Sequence, residues 1–148
     1  MSEGHRGYSV MRSSRSTNIL VVEDDADDSY LLTRQIEAAQ IEELVTVIAS
    51  GEEALQFLLK EETPPLAVFL DLRLPGMGGI ELLTAVRKEP RLKDVPIIIM
   101  TGYVDPKDVK ACTALGITAF LQKPIGLSTF IKTVAHLFPK NDAGGAAK

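Results

Sequence analysis

The chain has 148 residues, enough for one domain with a sizeable core, and its 45% hydrophobic and 24% charged content excludes a disordered or fibrous protein. The formal net charge of −4 divides into +2 on residues 1–18 (Arg6, Arg12 and Arg15 against Glu3) and −6 on residues 19–148, so the acidic body argues against nucleic acid as a partner. No apolar run reaches the roughly 20 residues of a membrane span and there is no signal core, which points to a cytoplasmic protein without a membrane partner.

Residues 1–17 are rich in Ser, Gly and Arg and lack apolar periodicity, so they are expected to form a flexible arm. Asn18 to Val22 (NILVV) is a short buried-strand run, followed by a helix from Ala26 to Gln40 with Leu32, Ile36 and Ala39 at helical spacing. Leu44 to Ala49 is the second strand. Ser50 then caps a helix, with Glu53 three residues on and Ala54, Leu55, Leu58 and Leu59 as its apolar stripe. Pro64-Pro65 breaks the chain before the third strand, Leu66 to Leu70, and the loop Leu74 to Gly79 (LPGMGG) leads into a helix from Ile80 to Lys88. Val95 to Met100 is the fourth strand. Asp105-Pro106 opens the next helix, with Val109, Cys112 and Leu115 inward and Gly116 at its end. The single cysteine, Cys112, fits a reduced compartment and reads as a small buried apolar residue. Thr118 to Gln122 is the fifth strand, and the last helix runs from about Leu127 to Phe138 with Phe130, Ile131, Val134 and Leu137 on its core side. Residues 139–148 form a second flexible tail, leaving 18–138 as the folded domain.

Five strands apolar on both faces, each followed by a helix, specify an α/β domain with a doubly wound five-stranded parallel sheet. Right-handed crossovers favour the strand order 2-1-3-4-5, the flavodoxin-like arrangement, and put ligands at the carboxyl ends of the strands. The polar residues that follow the buried runs there are Glu23, Asp24 and Asp25, then Asp71, then Thr101, then Lys123. Taken singly, Asp24 or Asp25 serves as readily as a helix cap, Asp71 as a turn-former, Thr101 as a loop hydroxyl and Lys123 as a solvated lysine. Together, in this order and each at a strand end, they form a site.

Like charges from adjacent strands cost about 1–4 kcal/mol per pair at 4 Å, so the acids need a cation. Oxygen-only donors point to a hard ion, and few carboxylates with room for water point to Mg²⁺ over Ca²⁺. A carboxylate beside Mg²⁺ is a nucleophile toward phosphorus, with the metal and a lysine neutralising the transferring group. Lys123 is placed to be that lysine, Thr101 can donate its hydroxyl to a phosphoryl oxygen, and the set forms an acceptor site for a metal and a phosphoryl group. Arg73 and Tyr103, two positions after Asp71 and after Thr101, are large side chains expected to restrict water at the site and slow the loss of a phosphoryl group.

The pieces ILVVEDD, VFLDLRLPGMGG, IIIMTG and FLQKPI resemble, over about residues 18–138, the receiver domains of two-component response regulators. The resemblance implies Asp71 as the phosphoacceptor and a further metal ligand, Asp24 as a direct Mg²⁺ ligand, Glu23 as an acid acting mainly through water and Arg73 as a ligand through its backbone carbonyl. It also implies Thr101 and Phe120 as the switch pair and a cis Lys123-Pro124 bond. VEDDADDSYLLTR, SGEEALQFL and LGITAFLQKPIGLSTFIKTV are similar to single-domain regulators that partner phytochrome-like sensor kinases; Gly126 departs from that subgroup, where an acidic cap is common.

The implied protein is a phosphoacceptor switch rather than an enzyme. It would take its phosphoryl group from a sensor histidine kinase or a histidine phosphotransfer protein, with a downstream target protein and a second copy of the chain as further candidate partners. Its signal would leave through the surface of the fourth helix, fifth strand and fifth helix, where Val104, Leu127, Phe130 and Phe138 are candidates. Two other classes fit less well. A flavin site wants phosphate-binding loops and stacking aromatics, and the chain has no Trp; an aspartyl phosphatase of the haloacid-dehalogenase type needs a second Asp where Arg73 stands. A pseudo-receiver would not need the complete Asp, Thr and Lys set.

Overall fold

A computed structural model describes residues 8–10 and 18–138. In chain order the elements are β1 (Tyr8–Val10), β2 (Asn18–Val22), α1 (Ala26–Ala38), β3 (Leu44–Ile48), α2 (Gly51–Lys60), β4 (Ala67–Asp71), α3 (Gly79–Lys88), a 3₁₀ turn (Pro90–Leu92), β5 (Ile97–Thr101), α4 (Pro106–Leu115), β6 (Ala119–Gln122) and α5 (Leu127–Ala135). β2 to β6 are parallel in the order β3-β2-β4-β5-β6, which is 2-1-3-4-5 for the five predicted strands.

Strand geometry sends successive side chains to opposite faces, and the core divides accordingly. Leu20, Val22, Val68, Leu70, Ile97 and Ile99 point to one layer, where they meet Leu58, Leu82, Leu83, Val86 and Cys112 of α2, α3 and α4. Ile19, Val21, Phe69, Ile98, Met100 and Leu121 point to the other and meet Leu32, Ile36, Phe130 and Val134 of α1 and α5. The Phe69 and Phe130 rings stack there at 5.7 Å between centroids. Burial pushes the Cys112 thiol up to about 11, with Asp108 adding to it, so this cysteine is an inert core residue as read from the sequence.

Three features differ from the sequence reading. Tyr8–Val10, placed within the flexible arm, forms an antiparallel strand on the free edge of β3, with Tyr8 opposite Ile48 and Val10 opposite Thr46; an exposed strand edge is a template for such pairing. The rest of the arm and the tail 139–148 lie outside the described residues. The last helix ends at Ala135 rather than Phe138, and Ile131, like Leu59 of α2, is exposed, because each sits at the border of its apolar stripe. Phe130, named as a candidate for the output surface, is fully buried against Phe69 and is core. No helix among the described residues is long and apolar enough to cross a membrane.

Candidate functional site

The strands end together, so their last and following residues converge. Asp71 closes β4 and Thr101 closes β5, while Glu23 follows β2 and Lys123 follows β6. Asp71 and Glu23 are almost completely buried at 4% and 3% exposure, and Thr101 is fully buried. The two acids after Glu23 divide their duties. Asp25 is the N-cap of α1, accepting from the Asp28 N–H at 2.9 Å. Asp24 stands with Glu23 and Asp71, and one carboxylate oxygen from each lies within 4.8 Å of the others.

Lys123 Nζ donates to Glu23 Oε1 and to Asp28 Oδ2 at 2.7 Å, and to Asp71 Oδ2 at 3.1 Å. Burial acts to lower the Lys123 pKa, but hydrogen bonds to Asp28, Glu23 and Asp71 outweigh it and hold the ammonium well above the usual lysine range. At Glu23, by contrast, burial prevails and pushes the carboxyl up to about 7, against the lowering effect of Lys123 and of the Asp25 N–H, which donates to Oε2 at 3.0 Å. The Lys123-Pro124 peptide bond is cis.

The donor set fits a divalent cation. It is all oxygen, which suits a hard ion, and Asp24 is exposed, so water has access to that side. One lysine charge among four carboxylates leaves an excess of negative charge that a cation relieves.

The loops around the acceptor hold it in place. The Arg73 N–H donates to Asp71 Oδ1 at 3.0 Å. The Arg73 guanidinium lies 5.9 Å from the centre of the Tyr103 ring and pairs with Asp108 of α4 at 3.2 Å. Arg73 and Tyr103 therefore join the loop after Asp71 to the loop after Thr101. The Thr101 hydroxyl donates to the Tyr103 carbonyl at 3.0 Å. Phe120, half-buried on β6, packs against the α2–α3–α4 core layer.

The structure thus brings together Glu23, Asp24, Asp71, Thr101 and Lys123, with Arg73 and Tyr103 at the rim. Sequence reasoning missed Asp28 and Asp108. Both lie inside the first turns of helices and away from strand ends.

A family model described as response regulator receiver domain matches residues 19–135. The bacteriophytochrome response regulator RtBRR superposes with a TM-score of 0.74 at 32% identity, covering 82% of this chain and 77% of that one. Response regulator Rcp1 of Synechocystis sp. is 31% identical over 121 residues, 78% of this chain and 82% of the relative. The structure of a Mn²⁺-bound form of Rcp1 superposes with a TM-score of 0.70 at 28% identity, covering 82% and 91% of the two chains. The phosphorylated cyanobacterial phytochrome response regulator RcpA gives 0.71 at 25% identity, covering 82% and 90%. The chain spans only 17% of a much longer relative, the sensory/regulatory protein RpfC of Xanthomonas campestris, to which it is 30% identical over 125 residues.

Proposed function

This chain belongs to the response-regulator receiver family, and we propose that it is a Mg²⁺-dependent switch that accepts a phosphoryl group on Asp71 from a sensor histidine kinase in the cytoplasm. The observation that carries this reading is the buried Asp71 carboxylate, which accepts from Lys123 at 3.1 Å and lies within 4.8 Å of an oxygen of Glu23 and of Asp24. An Asp71 oxygen attacks phosphorus, the bond from phosphorus to the donor nitrogen breaks, and that nitrogen leaves with the electron pair. Lys123 turns one N–H to a phosphoryl oxygen. Thr101 exchanges its bond to the Tyr103 carbonyl for another phosphoryl oxygen. Mg²⁺, when bound through Glu23, Asp24, Asp71 and the Arg73 carbonyl, supplies charge that neutralises the developing phosphoryl oxygens.

The likeness to bacteriophytochrome and cyanobacterial phytochrome regulators supports a phytochrome-like kinase as donor, or a histidine phosphotransfer protein. Rotation of Thr101 toward the phosphoryl group, with Phe120 following, would carry the change to the α4–β6–α5 surface that a target protein or a second copy reads. Of the residues first considered for that surface, Leu127 is exposed and Val104 and Phe138 are partly so.

Incubation with Mg²⁺ and acetyl phosphate, followed by intact mass, is expected to add one phosphoryl group to the wild type and none to Asp71→Asn. An unmodified wild type would overturn the mechanism. The same assay followed over time tests the rim. Arg73 and Tyr103 reach across between the acceptor loop and the threonine loop, so shortening either to Ala opens the acyl phosphate to water. Its half-life is expected to fall; equal lifetimes would overturn the role of the rim.

A further inference from the structure

A lysine ammonium has three N–H donors and no acceptor. In this fold the three are matched to carboxylates on three elements: Glu23 after β2, Asp28 in the first turn of α1 and Asp71 at the end of β4. Nζ is therefore fixed from three directions. The acceptors differ in what else they do. Asp71 is the proposed phosphoacceptor, and Glu23 and Asp71 both belong to the group of oxygens within 4.8 Å that fits a cation. Asp28 stands outside that group. Its place is set by the α1 cap, since its own N–H donates to the Asp25 side chain three residues back.

We propose that Asp28 is the positioning residue for Lys123, an inference that deepens the phosphoacceptor reading and rests on it. Without Asp28, the ammonium would bind only to Glu23 and Asp71, the oxygens a divalent cation also needs, and the two positive charges would compete for the same carboxylates. The 2.7 Å charge-assisted bond to Asp28 anchors Lys123 on a carboxylate the cation does not use. Two N–H groups then keep their short bonds, and the third, already on Asp71 at 3.1 Å, is the one that passes to a phosphoryl oxygen. Transfer leaves the Asp28 bond intact. Asp28 thus makes the lysine and the metal compatible within one small cluster.

The test reads the Lys123 ammonium directly by ¹H–¹⁵N NMR, assigned through its loss in Lys123→Met, alongside phosphoryl uptake from acetyl phosphate at saturating Mg²⁺. In the wild type the ammonium signal is expected with and without Mg²⁺. In Asp28→Ala, Mg²⁺ is expected to erase the signal, and uptake to slow about tenfold. Asp28→Asn keeps an acceptor oxygen without the charge and is expected to fall between the two, which also covers a poorly folded alanine variant. A purely structural Asp28 would lower the melting temperature of both variants while leaving the signal and the uptake rate as in the wild type, and that result overturns the inference. A wild type that takes no phosphoryl group condemns the phosphoacceptor reading instead. The ammonium signal then still decides on Asp28: its persistence in Asp28→Ala with Mg²⁺ counts against the anchor.

Discussion

Replacing Lys123 by methionine is expected to destabilise the metal-free domain by about 3 kcal/mol at pH 8, the scale for removing one partner of a buried ion pair. Lys123 is the cation that meets Glu23, Asp28 and Asp71, and the Glu23 and Asp71 side chains are nearly buried, so their charges would lose compensation without gaining water. The pH dependence follows from both partners. The lysine pKa is raised in the fold, so its stabilising contribution is fully present below the ordinary lysine value of 10.5 and is lost only as pH rises through the higher folded value. At pH 8 all of it is at stake. Glu23, raised by burial from 4.5 to about 7, binds more protons in the folded than in the unfolded chain between those values, so its contribution to stability falls as pH rises through that window. Removing Lys123 takes away the main force holding the Glu23 pKa down, which extends the loss to higher pH. The deficit of Lys123→Met is therefore expected to be smallest near pH 5 and largest near pH 8, and Mg²⁺ is expected to restore part of it at pH 8 by supplying the missing charge. Urea denaturation at the two pH values, with and without Mg²⁺, measures all of this. A deficit independent of both pH and Mg²⁺ would assign Lys123 a packing role.

The outline of this site was readable because the fold places chemistry where apolar runs stop. Glu23, Asp71, Thr101 and Lys123 each directly follow or close a buried run, and the parallel direction of the strands puts those ends on one edge of the sheet. Asp24 and Asp25 were interchangeable in the sequence; only the helix start separates a cap from a member of the acid cluster. Asp28 and Asp108 stayed hidden because their partners, Lys123 and Arg73, are 95 and 35 residues away and no local pattern encodes such pairs. Phe130 was open to two readings because a helical stripe gives direction but not depth, and its contact with Phe69 decides for the core. Tyr8–Val10 has no apolar run of its own, and its strand depends on the free edge of β3.

Gly79 is a further position whose role lies wholly in tertiary contact, and Gly79→Ala is expected to cost about 2–3 kcal/mol, the range for overpacking. A Cβ there would stand 2.6 Å from the Leu72 Cα and 2.7 Å from the Asp71 carbonyl oxygen, both backbone atoms that cannot swing aside. The neighbouring Gly78 is the control: a Cβ there would meet only the Leu72 carbonyl oxygen, at an ordinary 4.0 Å, so Gly78→Ala is expected to lose only the preference of the α3 N-cap for glycine over alanine, about 0.5–1 kcal/mol. In the chain alone the two glycines of Met77-Gly78-Gly79 look alike. Relief of the clash must come from moving α3 away from the end of β4. Gly79 N–H donates to the Leu72 carbonyl at 3.1 Å and Arg73 N–H to Asp71 Oδ1 at 3.0 Å, so that movement also disturbs the acceptor carboxylate. Gly79→Ala is accordingly expected to lose both stability in denaturant and rate of phosphoryl uptake, and Gly78→Ala a smaller part of the stability and none of the rate. Equal behaviour of the two variants would mean that the close approach of α3 to Asp71 does not set the geometry of the acceptor.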